Sequence, residues 1–292
     1  MAIIFAYPKN EILAEKISSR LNIPLGEIVI SSFPDGDSYI RIDSNVKNKN
    51  VIIVCTLDHA DNKALRLFFL AKNLRTHGAK NICLIAPYLP YMRQDKEFHF
   101  GESVNAKFFA EFLSVLFDSL ITIDPHLHRI HDLHEIFKIK KISTLHATQK
   151  IAEWIKHHVE NALIVGPDEE SQQWVEEVAK QANASWIIMK KIRHSDNDVS
   201  ITLPELTVTN QIPVFVDDII STGTSMITAT KKLIDLGFKQ PICVTVHALF
   251  DDTAYQTILQ SGVKQIVSCN TIKHTTNQID ISELIMNAIA DH

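Results

Sequence analysis

The stretch VFVDDIISTGTSM, residues 214–226, begins as an apolar β-branched run, passes through two adjacent aspartates and ends in hydroxyl residues around one glycine. Apolar residues then recur at three- and four-residue spacing as far as Gly237, which predicts a helix that this glycine ends. A buried strand that leads through a short loop into a helix is the repeating unit of a parallel α/β sheet. The stretch therefore indicates the fold class.

The same alternation runs along most of the chain. Short apolar runs predict buried strands at residues 51–56, 81–87, 119–124, 162–166, 185–189, 213–218, 241–247 and 263–268. Helical spacing of apolar residues predicts helices within 61–78, 105–117, 146–160, 170–182 and 225–237. We therefore expect an α/β protein of two tandem domains, residues 1–146 and 147–292, each a mostly parallel sheet flanked by helices.

Composition narrows the class of protein. The 292 residues are 46% hydrophobic and 22% charged, with a net charge of −5, which is typical of a globular chain and gives no broad basic surface for nucleic acid. The start MAIIFAYPKN has too short an apolar run for a signal peptide, and we expect no membrane span and a cytoplasmic location. Buried, reduced thiols are expected at the four cysteines, Cys55, Cys83, Cys243 and Cys269.

Ligands of open parallel sheets bind at the carboxyl ends of the strands, so the opening stretch is the first candidate site. Asp217 and Asp218 end its strand, and Gly223 allows a ligand to approach the backbone closely. Hydroxyls beside the free amides of a helix N-terminus suit a phosphate monoester, and here they belong to Ser221, Thr222, Thr224 and Ser225. Two acids beside a phosphate need sugar hydroxyls or a divalent cation. The loop predicts a ribose 5-phosphate site, although its residues alone also fit an acidic turn before a capped helix.

Two loops of the first half carry further candidates. In PYLPYMRQDKEFHFGES, residues 87–103, a polyphosphate could bind to the polar group Arg93, Gln94, Asp95 and Lys96. In SSFPDGDSYIRI, residues 31–42, a nucleobase could stack on Phe33, with Asp35 and Asp37 facing its amine or metal-bound water. Read alone, the second stretch equally fits a Pro-Asp-Gly turn before an edge strand. No glycine-rich phosphate loop is present, so nucleotide must be held in another way.

Taken together, these motifs resemble one family. DDIISTGTS resembles the phosphoribosyl-diphosphate motif of the phosphoribosyltransferase fold, and with RQDK and FPDGD nearly the whole chain resembles the ribose-phosphate diphosphokinases. The RQDK…F..GES pattern is most similar to their shorter, archaeal-type branch. The resemblance implies two Rossmann-like phosphoribosyltransferase-type domains. It assigns ATP to Phe33, Asp35, Asp37, Arg93, Gln94, Asp95 and Lys96, and ribose 5-phosphate to Asp217, Asp218, Ser221, Thr222, Gly223, Thr224 and Ser225.

The implied reaction moves the β,γ-diphosphate of ATP to the anomeric hydroxyl of ribose 5-phosphate, giving 5-phosphoribosyl 1-diphosphate and AMP. In the family the FPDGD segment reaches the ATP site of a neighbouring subunit, which implies a homodimer or a larger homo-oligomer. Two alternatives stay open. One is a phosphoribosyltransferase, and the other is a non-catalytic partner that regulates a true synthetase.

The resemblance also implies a magnesium site. TIDPHLH, residues 122–128, matches the family's metal segment and assigns Asp124 and His126 to Mg²⁺. VGPDEES, residues 165–171, matches the segment whose aspartate lies by a second metal or the ribose, here Asp168. The family commonly has a glycine soon after that aspartate, where this chain has Glu169, Glu170 and Ser171. On residues alone, a transition-metal cluster or a polar connector would account for His126, His128, His131 and His134.

The catalytic bases are expected on a flap, because ATP must enter and water must then be excluded. MKKIRHSDNDVSI, residues 189–201, leaves a predicted strand with three basic residues, turns through polar residues and returns as a strand. The family's Lys-x-Arg pair maps onto Lys191 and Arg193, with Lys190 one residue earlier. Without the resemblance, the same pattern fits a solvated basic hairpin.

Overall fold

The computed structural model describes residues 1–168, 171–193, 199–202 and 210–290, and within 190–193 and 199–202 it describes the backbone. The chain divides into two compact units, residues 1–145 with 282–292 and residues 146–281. The elements of the first unit are β1 (Ala2–Ala6), α1 (Glu11–Leu21), β2 (Ile28–Ser32), β3 (Ser38–Ile42), β4 (Asn50–Val54), α2 (Asp61–Thr76), β5 (Asn81–Ala86), α3 (Asn105–Leu116), β6 (Ser119–Ile123) and β7 (Lys141–Leu145).

A five-stranded parallel sheet in the order β1-β4-β5-β6-β7 forms the centre of the first unit. Its strands are apolar and β-branched because helices cover both faces, and Phe5, Ile53 and Leu84 are fully buried. Strands β2 and β3 form a separate antiparallel hairpin, paired from Ile28 with Ile42 to Ser32 with Ser38.

The second unit contains a six-stranded parallel sheet. The elements of the second unit are α4 (Thr148–His158), β8 (Ala162–Gly166), α5 (Gln172–Ala182), β9 (Ser185–Ile188), β10 (Lys190–Arg193), β11 (Val199–Thr202), β12 (Ile212–Ile220), α6 (Thr224–Asp235), β13 (Ile242–Ala248), α7 (Asp252–Gln260), β14 (Gln265–Cys269) and β15 (Asn277–Ile279). The strand order is β15-β14-β13-β12-β8-β9, and β10 pairs with β11 in an antiparallel hairpin. The predicted α/β class with helix-flanked parallel sheets is confirmed.

All eight predicted strands and all five predicted helices are present within a few residues of their expected bounds. The four cysteines are buried and free, as the sequence predicts. In the described parts of the chain, every helix is too short or too polar to cross a membrane.

The last helix, α8 (Ser282–Ala290), corrects the expected extent of the domains. The sequence prediction carried the second domain to residue 292, whereas α8 belongs with the first unit and packs against α1 and β7. Its apolar face, which includes the fully buried Ile285, fills that part of the first unit's surface. Sequence order alone could not indicate this return to the first sheet.

Ile285→Ala is expected to lower the free energy of unfolding of the first unit by about 2–5 kcal/mol, because it leaves a cavity under α8. Urea denaturation followed by circular dichroism measures the change. Asn287→Ala, at an exposed position of the same helix, is the control and is expected to stay within about 0.5 kcal/mol of wild type. Equal stability of the two variants would contradict the packing of α8.

Candidate active site

The second sheet changes direction between β8 and β12. From β8 the chain moves outward to β9, whereas from β12 it moves the opposite way through β13 and β14 to β15. Such a switch point opens a crevice at the carboxyl ends of the two central strands, where α/β proteins bind ligands. Asp168 follows β8, and Asp217 and Asp218 lie in the last part of β12. The topology therefore brings together three of the carboxylates that the sequence predicts as site residues.

The charges of the two neighbouring carboxylates act on Asp217. Burial raises the pKa of the Asp217 carboxyl well above its usual value, and the charges of Asp218 and then Asp168 raise it further. The backbone N–H of Asp218 donates a 3.0 Å hydrogen bond to Asp217 Oδ1, which opposes the shift only in part. Sugar hydroxyls or a divalent cation would relieve this repulsion, because both favour the charged carboxylates.

The loop after β12 leads into the start of α6. Gly223 has the left-handed φ of 69° and precedes the first residue of α6. A Cβ at this position would lie 2.4 Å from side-chain atoms of Ile258, so the glycine is needed for both its conformation and its size. The hydroxyls of Thr222 and Thr224 lie 3.1 Å apart, and the amides of the first turn have no intrahelical acceptor. Hydroxyls and amides at such a helix N-terminus can bind a phosphate.

The turn after β8 is closed by Ser171. Its backbone N–H donates to Asp168 Oδ1 at 3.2 Å, and its hydroxyl donates to the Asp168 carbonyl at 2.7 Å. Gly166, before the aspartate, allows close packing, since a Cβ there would lie 2.4 Å from Ile188. Glu169 and Glu170 lie outside the described residues. Asp168 is thus held by the serine that stands in the segment where the family commonly has glycine.

In the first unit, the loop after β5 has a strained backbone at Tyr91, whose φ is 67°. Burial first, and then Asp61, raise the pKa of Tyr91 to about 12, and the phenol donates a hydrogen bond to the Asp61 carboxylate. The Gln94 N–H donates to the Tyr91 carbonyl at 2.8 Å. Tyr91 therefore ties the loop that carries the RQDK residues to the start of α2.

Two of the four RQDK residues support the loop. Asp95 accepts two hydrogen bonds from Arg129 Nη1, at 2.9 and 3.2 Å, and its side chain is only 4% exposed. The Gln94 side chain accepts a hydrogen bond from the Asn105 amide. Arg93 and Lys96 are exposed and positively charged, so they are the two of the four that could neutralise a polyphosphate.

Phe98 lies beside this ion pair. The Arg129 guanidinium carbon is 5.6 Å from the centre of its ring, and Lys96 Nζ is 5.0 Å from it. Sequence reasoning did not assign a role to Arg129, because its contact with Asp95 joins residues 34 positions apart. No local pattern shows such a contact.

The loop after β6 holds Asp124 and His126 in left-handed backbone conformations, with φ of 37° and 46°. The His126 N–H donates to the Asp124 carbonyl at 2.8 Å, and the Asp124 N–H donates to the Leu145 carbonyl at 2.9 Å. His126 Nε2 and His128 Nε2 lie 2.9 Å apart.

The other two histidines of this segment do not join the pair. His134 bonds its own neighbour Asp132 at 2.8 Å, and the His131 N–H bonds Glu135 at 2.8 Å. Among the residues that the structure describes, no three or more His, Cys, Asp or Glu side chains gather into one metal site. The four histidines therefore do not form a single cluster.

The FPDGD segment is the exposed tip of the β2–β3 hairpin. The Phe33 N–H donates to the Asp37 carbonyl at 2.8 Å, the Asp37 N–H donates to Asp35 Oδ1 at 3.1 Å, and Gly36 has φ of 97°. The Phe33 ring is 52% exposed and contacts Tyr39 edge to face at 5.6 Å. The expected turn and the strand after it are both present, and the aromatic ring is open to a ligand or another chain.

The predicted basic hairpin is present in the backbone. Lys191 pairs with Ile201 and Arg193 with Val199, so β10 leaves the sheet region and returns as β11. The side chains of Lys191 and Arg193, the predicted catalytic pair, lie outside the described residues. Their role stays a prediction.

Comparison with known proteins agrees with this geometry. The N-terminal domain of ribose phosphate pyrophosphokinase matches residues 2–116, and the phosphoribosyl transferase domain matches residues 139–283. The ribose-phosphate pyrophosphokinase of Sulfurisphaera tokodaii is 33% identical over 274 residues, which cover 92% of this chain and 93% of the relative. That of Saccharolobus solfataricus is 33% identical over 278 residues, covering 93% and 94%.

A solved structure shows the same fold. The crystal structure of phosphoribosylpyrophosphate synthetase from Mycobacterium smegmatis matches with a TM-score of 0.85 at 21% identity, covering 99% of this chain and 97% of that one. Fold and switch-point site thus define an enzyme of the phosphoribosyltransferase-type α/β class. The chain belongs to the ribose-phosphate pyrophosphokinase family, also called the ribose-phosphate diphosphokinases, which confirms the resemblance.

Arg129→Ala is expected to loosen the loop of residues 93–102, because the buried Asp95 carboxylate loses both hydrogen bonds. The lost charge-assisted bonds correspond to about 1–2 kcal/mol, so amide hydrogen exchange in that loop should become roughly tenfold faster. Mass spectrometry of exchanged peptides measures it. Arg129→Lys retains the positive charge but not the planar guanidinium, so its exchange rate should fall between those of wild type and Arg129→Ala. Unchanged exchange in Arg129→Ala would show that the ion pair does not hold the loop.

Asp217→Asn is expected to raise the denaturation midpoint at pH 8 in the presence of a chelator. The pKa of Asp217 is raised in the folded state, so the carboxyl ionises at a lower pH in the unfolded chain than in the folded protein. Wild type therefore loses folding stability as the pH rises from about 4, the ordinary pKa of aspartate, through the raised folded-state pKa. Asparagine carries no charge and removes that loss of stability. Each kcal/mol of unfolding free energy that is regained raises the denaturation midpoint by roughly 2–4 °C. The difference should shrink toward pH 4. Asp235→Asn, at the exposed end of α6, is the control. A lower midpoint for Asp217→Asn at pH 8 would contradict the repulsion.

Proposed function

We propose that the chain transfers the β,γ-diphosphate of ATP to the anomeric hydroxyl of ribose 5-phosphate, giving 5-phosphoribosyl 1-diphosphate and AMP. The observation that carries the proposal is the crowded carboxylate group of Asp168, Asp217 and Asp218 beside the Gly223 loop. That combination supplies partners for sugar hydroxyls and for a phosphate in one crevice. The family's name, ribose-phosphate pyrophosphokinase, agrees with such a substrate.

Ribose 5-phosphate binds to the second unit in this proposal. Its phosphate lies at the start of α6, where it accepts hydrogen bonds from backbone amides and from the hydroxyls of residues 221–225. Asp217 and Asp218 accept hydrogen bonds from ribose hydroxyls, which favours their charged forms. The anomeric oxygen is thereby fixed in position for attack, and positioning is the larger part of catalysis in such transfers.

ATP is proposed to use the loops of the first unit. Arg93 and Lys96 are exposed and neutralise the polyphosphate, while Gln94 and Asp95 keep the loop in shape through Asn105 and Arg129. The FPDGD hairpin tip supplies Phe33 for stacking, with Asp35 and Asp37 beside it. We infer that this exposed tip acts on the nucleotide of a neighbouring copy, so the working form is a homodimer or a larger homo-oligomer.

Mg²⁺ is the proposed cofactor, held in the first unit by Asp124 and His126, with a second proposed position at Asp168 in the second unit. Asp168 fits a cation because it contributes to the repulsion that raises the pKa of Asp217. Bound Mg²⁺ would neutralise charge on the diphosphate oxygens. We also place the enzyme in the cytoplasm, since its four free cysteines suit a reducing compartment.

The transfer step is an in-line displacement at the β-phosphorus of ATP. The anomeric hydroxyl oxygen forms a bond to that phosphorus and its proton is released to solution, while the bond to the oxygen shared with the α-phosphate breaks, which releases AMP. Negative charge spreads over the transferred group, and Lys191 and Arg193 of the β10–β11 hairpin are proposed to stabilise it. The hairpin also excludes water from the reaction.

A second candidate function is a non-catalytic copy that binds nucleotide and regulates a true synthetase. The observation that favours it is the turn after Asp168, where Ser171 lies in a segment that has glycine in the family. A phosphoribosyltransferase is disfavoured, because residues 2–116 match the synthetase's own N-terminal domain.

A coupled assay decides between the two. AMP is measured from ATP and Mg²⁺ with and without ribose 5-phosphate, and phosphorus NMR examines the sugar product. AMP that appears only with the sugar, together with a new diphosphate ester, supports the synthetase. Nucleotide binding without AMP formation would reject it in favour of the regulatory copy.

Lys191→Ala is expected to lower kcat by about 100-fold or more, because a charge aimed at the transition state is lost. The dissociation constant for ribose 5-phosphate should change less than about threefold, since that ligand uses other residues. Calorimetry and the AMP assay measure the two quantities. Lys190→Ala, which removes the same charge one residue earlier, is the matched control and should affect kcat far less. Loss of sugar binding in Lys191→Ala would remove the flap assignment.

A further inference from the structure

Arg66 on α2 is a charged side chain that the proposed function does not use. Its Nη2 donates a 2.6 Å hydrogen bond to Ser32 Oγ, across 34 positions of the sequence. Ser32 is the last residue of β2, pairs with Ser38 across the hairpin and directly precedes Phe33. The contact therefore joins α2 to the point where the hairpin becomes the FPDGD tip.

The guanidinium of Arg66 is fixed on a second side by the interior. It also hydrogen-bonds the phenol of Tyr7, which follows β1 and is 4% exposed. Burial raises the pKa of this phenol to about 12, so Tyr7 stays neutral at physiological pH. The Tyr7 N–H in turn donates to the Val54 carbonyl at 2.9 Å. Because a guanidinium is planar and its N–H donors have fixed directions, the bond to a buried phenol orients the group toward Ser32.

The rest of the hairpin shows why a contact at Ser32 matters. The base is fixed through the backbone, since the Gly26 N–H donates to the Ile4 carbonyl at 2.7 Å. Apolar packing holds the middle, where Ile30 and Ile40 lie against the core of the first unit. From residue 31 to residue 37 every residue is exposed. The hydrogen bond from Arg66 thus acts where the packing ends.

Two kinds of contact then determine the tip. Its own turn bonds, from the Phe33 N–H to the Asp37 carbonyl and from the Asp37 N–H to Asp35, hold its shape. The bond from Arg66 to Ser32 holds its direction relative to the first unit. A tip that is already fixed in direction loses less conformational freedom when a ligand binds, which raises the affinity.

We propose that Arg66 is a positioning residue for the nucleotide, because through Ser32 it fixes the direction in which the FPDGD tip presents Phe33 to ATP. Arg66 acts without contacting the nucleotide itself. The inference rests on the proposed function, which assigns ATP to this tip. The alternative is that the positive charge of Arg66 binds the polyphosphate directly, and a double-mutant cycle with Ser32 separates the two.

The test measures ligand dissociation constants by calorimetry on full-length protein, with ATP and MgCl₂ in one titration and ribose 5-phosphate in another. Arg66→Ala and Ser32→Ala should each raise the Kd for ATP by about tenfold, and the double variant should be within about twofold of either single variant. Arg66→Lys, which retains the charge and one donor group, should lose less affinity than Arg66→Ala. The Kd for ribose 5-phosphate should stay within about twofold throughout.

The matched control is Lys72→Ala, which removes a positive charge from an exposed position of the same helix and should leave the Kd for ATP within about twofold of wild type. Wild-type ATP affinity in a folded Arg66→Ala protein would overturn the inference. So would a neutral Ser32→Ala, which would assign Arg66 to the phosphates, or an equal loss of ribose 5-phosphate binding, which would indicate a general loss of structure. Ser32→Ala removes one exposed hydroxyl and keeps the test available if Arg66→Ala does not fold.

A second measurement uses the protein without ligands. Amide hydrogen exchange in peptides that cover residues 31–39 should become about fivefold faster in Arg66→Ala and in Ser32→Ala, because the tip opens more often, and should stay at the wild-type rate in Lys72→Ala. Unchanged exchange in both tip variants would overturn the inference. Because neither measurement requires turnover, failure here is distinct from failure of the AMP assay.

Discussion

The crowding of three carboxylates at the switch point of the second sheet is the constraint on which the site depends. Parallel strands β8 and β12 place Asp168, Asp217 and Asp218 in one crevice, and burial raises the cost of the charge on Asp217. A core selected for stability alone would not retain such repulsion. The arrangement becomes more favourable when sugar hydroxyls or a cation face the carboxylates, which is the electrostatic basis of the proposed function.

The helix start beside these acids has the opposite electrical character. Gly223 lets the chain turn into α6 against Ile258, and the amides of the first turn present partial positive charge to the loop. An anion at the loop and hydroxyls at the acids satisfy both halves of the crevice at once. A molecule with a phosphate at one end and a polyol at the other has that pattern.

Much of this was visible in the sequence because the informative residues are local. DDIISTGTS contains the acids, the glycine and the helix start within nine consecutive residues, and the apolar periods on either side predict the strand and the helix. The elements that were not predicted are short or depend on distant partners. β7 gains its place by pairing with β6, and α8 by packing on α1.

The sequence by itself determined the α/β class, the family and which loops carry polar residues, because periodicity and motifs act over a few neighbouring positions. Only the tertiary structure decided that Asp95 is held by Arg129 while Arg93 and Lys96 stay open, and that His126 meets His128. It also decided that α8 completes the first unit. These outcomes follow from burial, ion pairing and the backbone conformation of loops. All three depend on which residues the folded chain brings together, and the spacing of residues along the sequence does not show this.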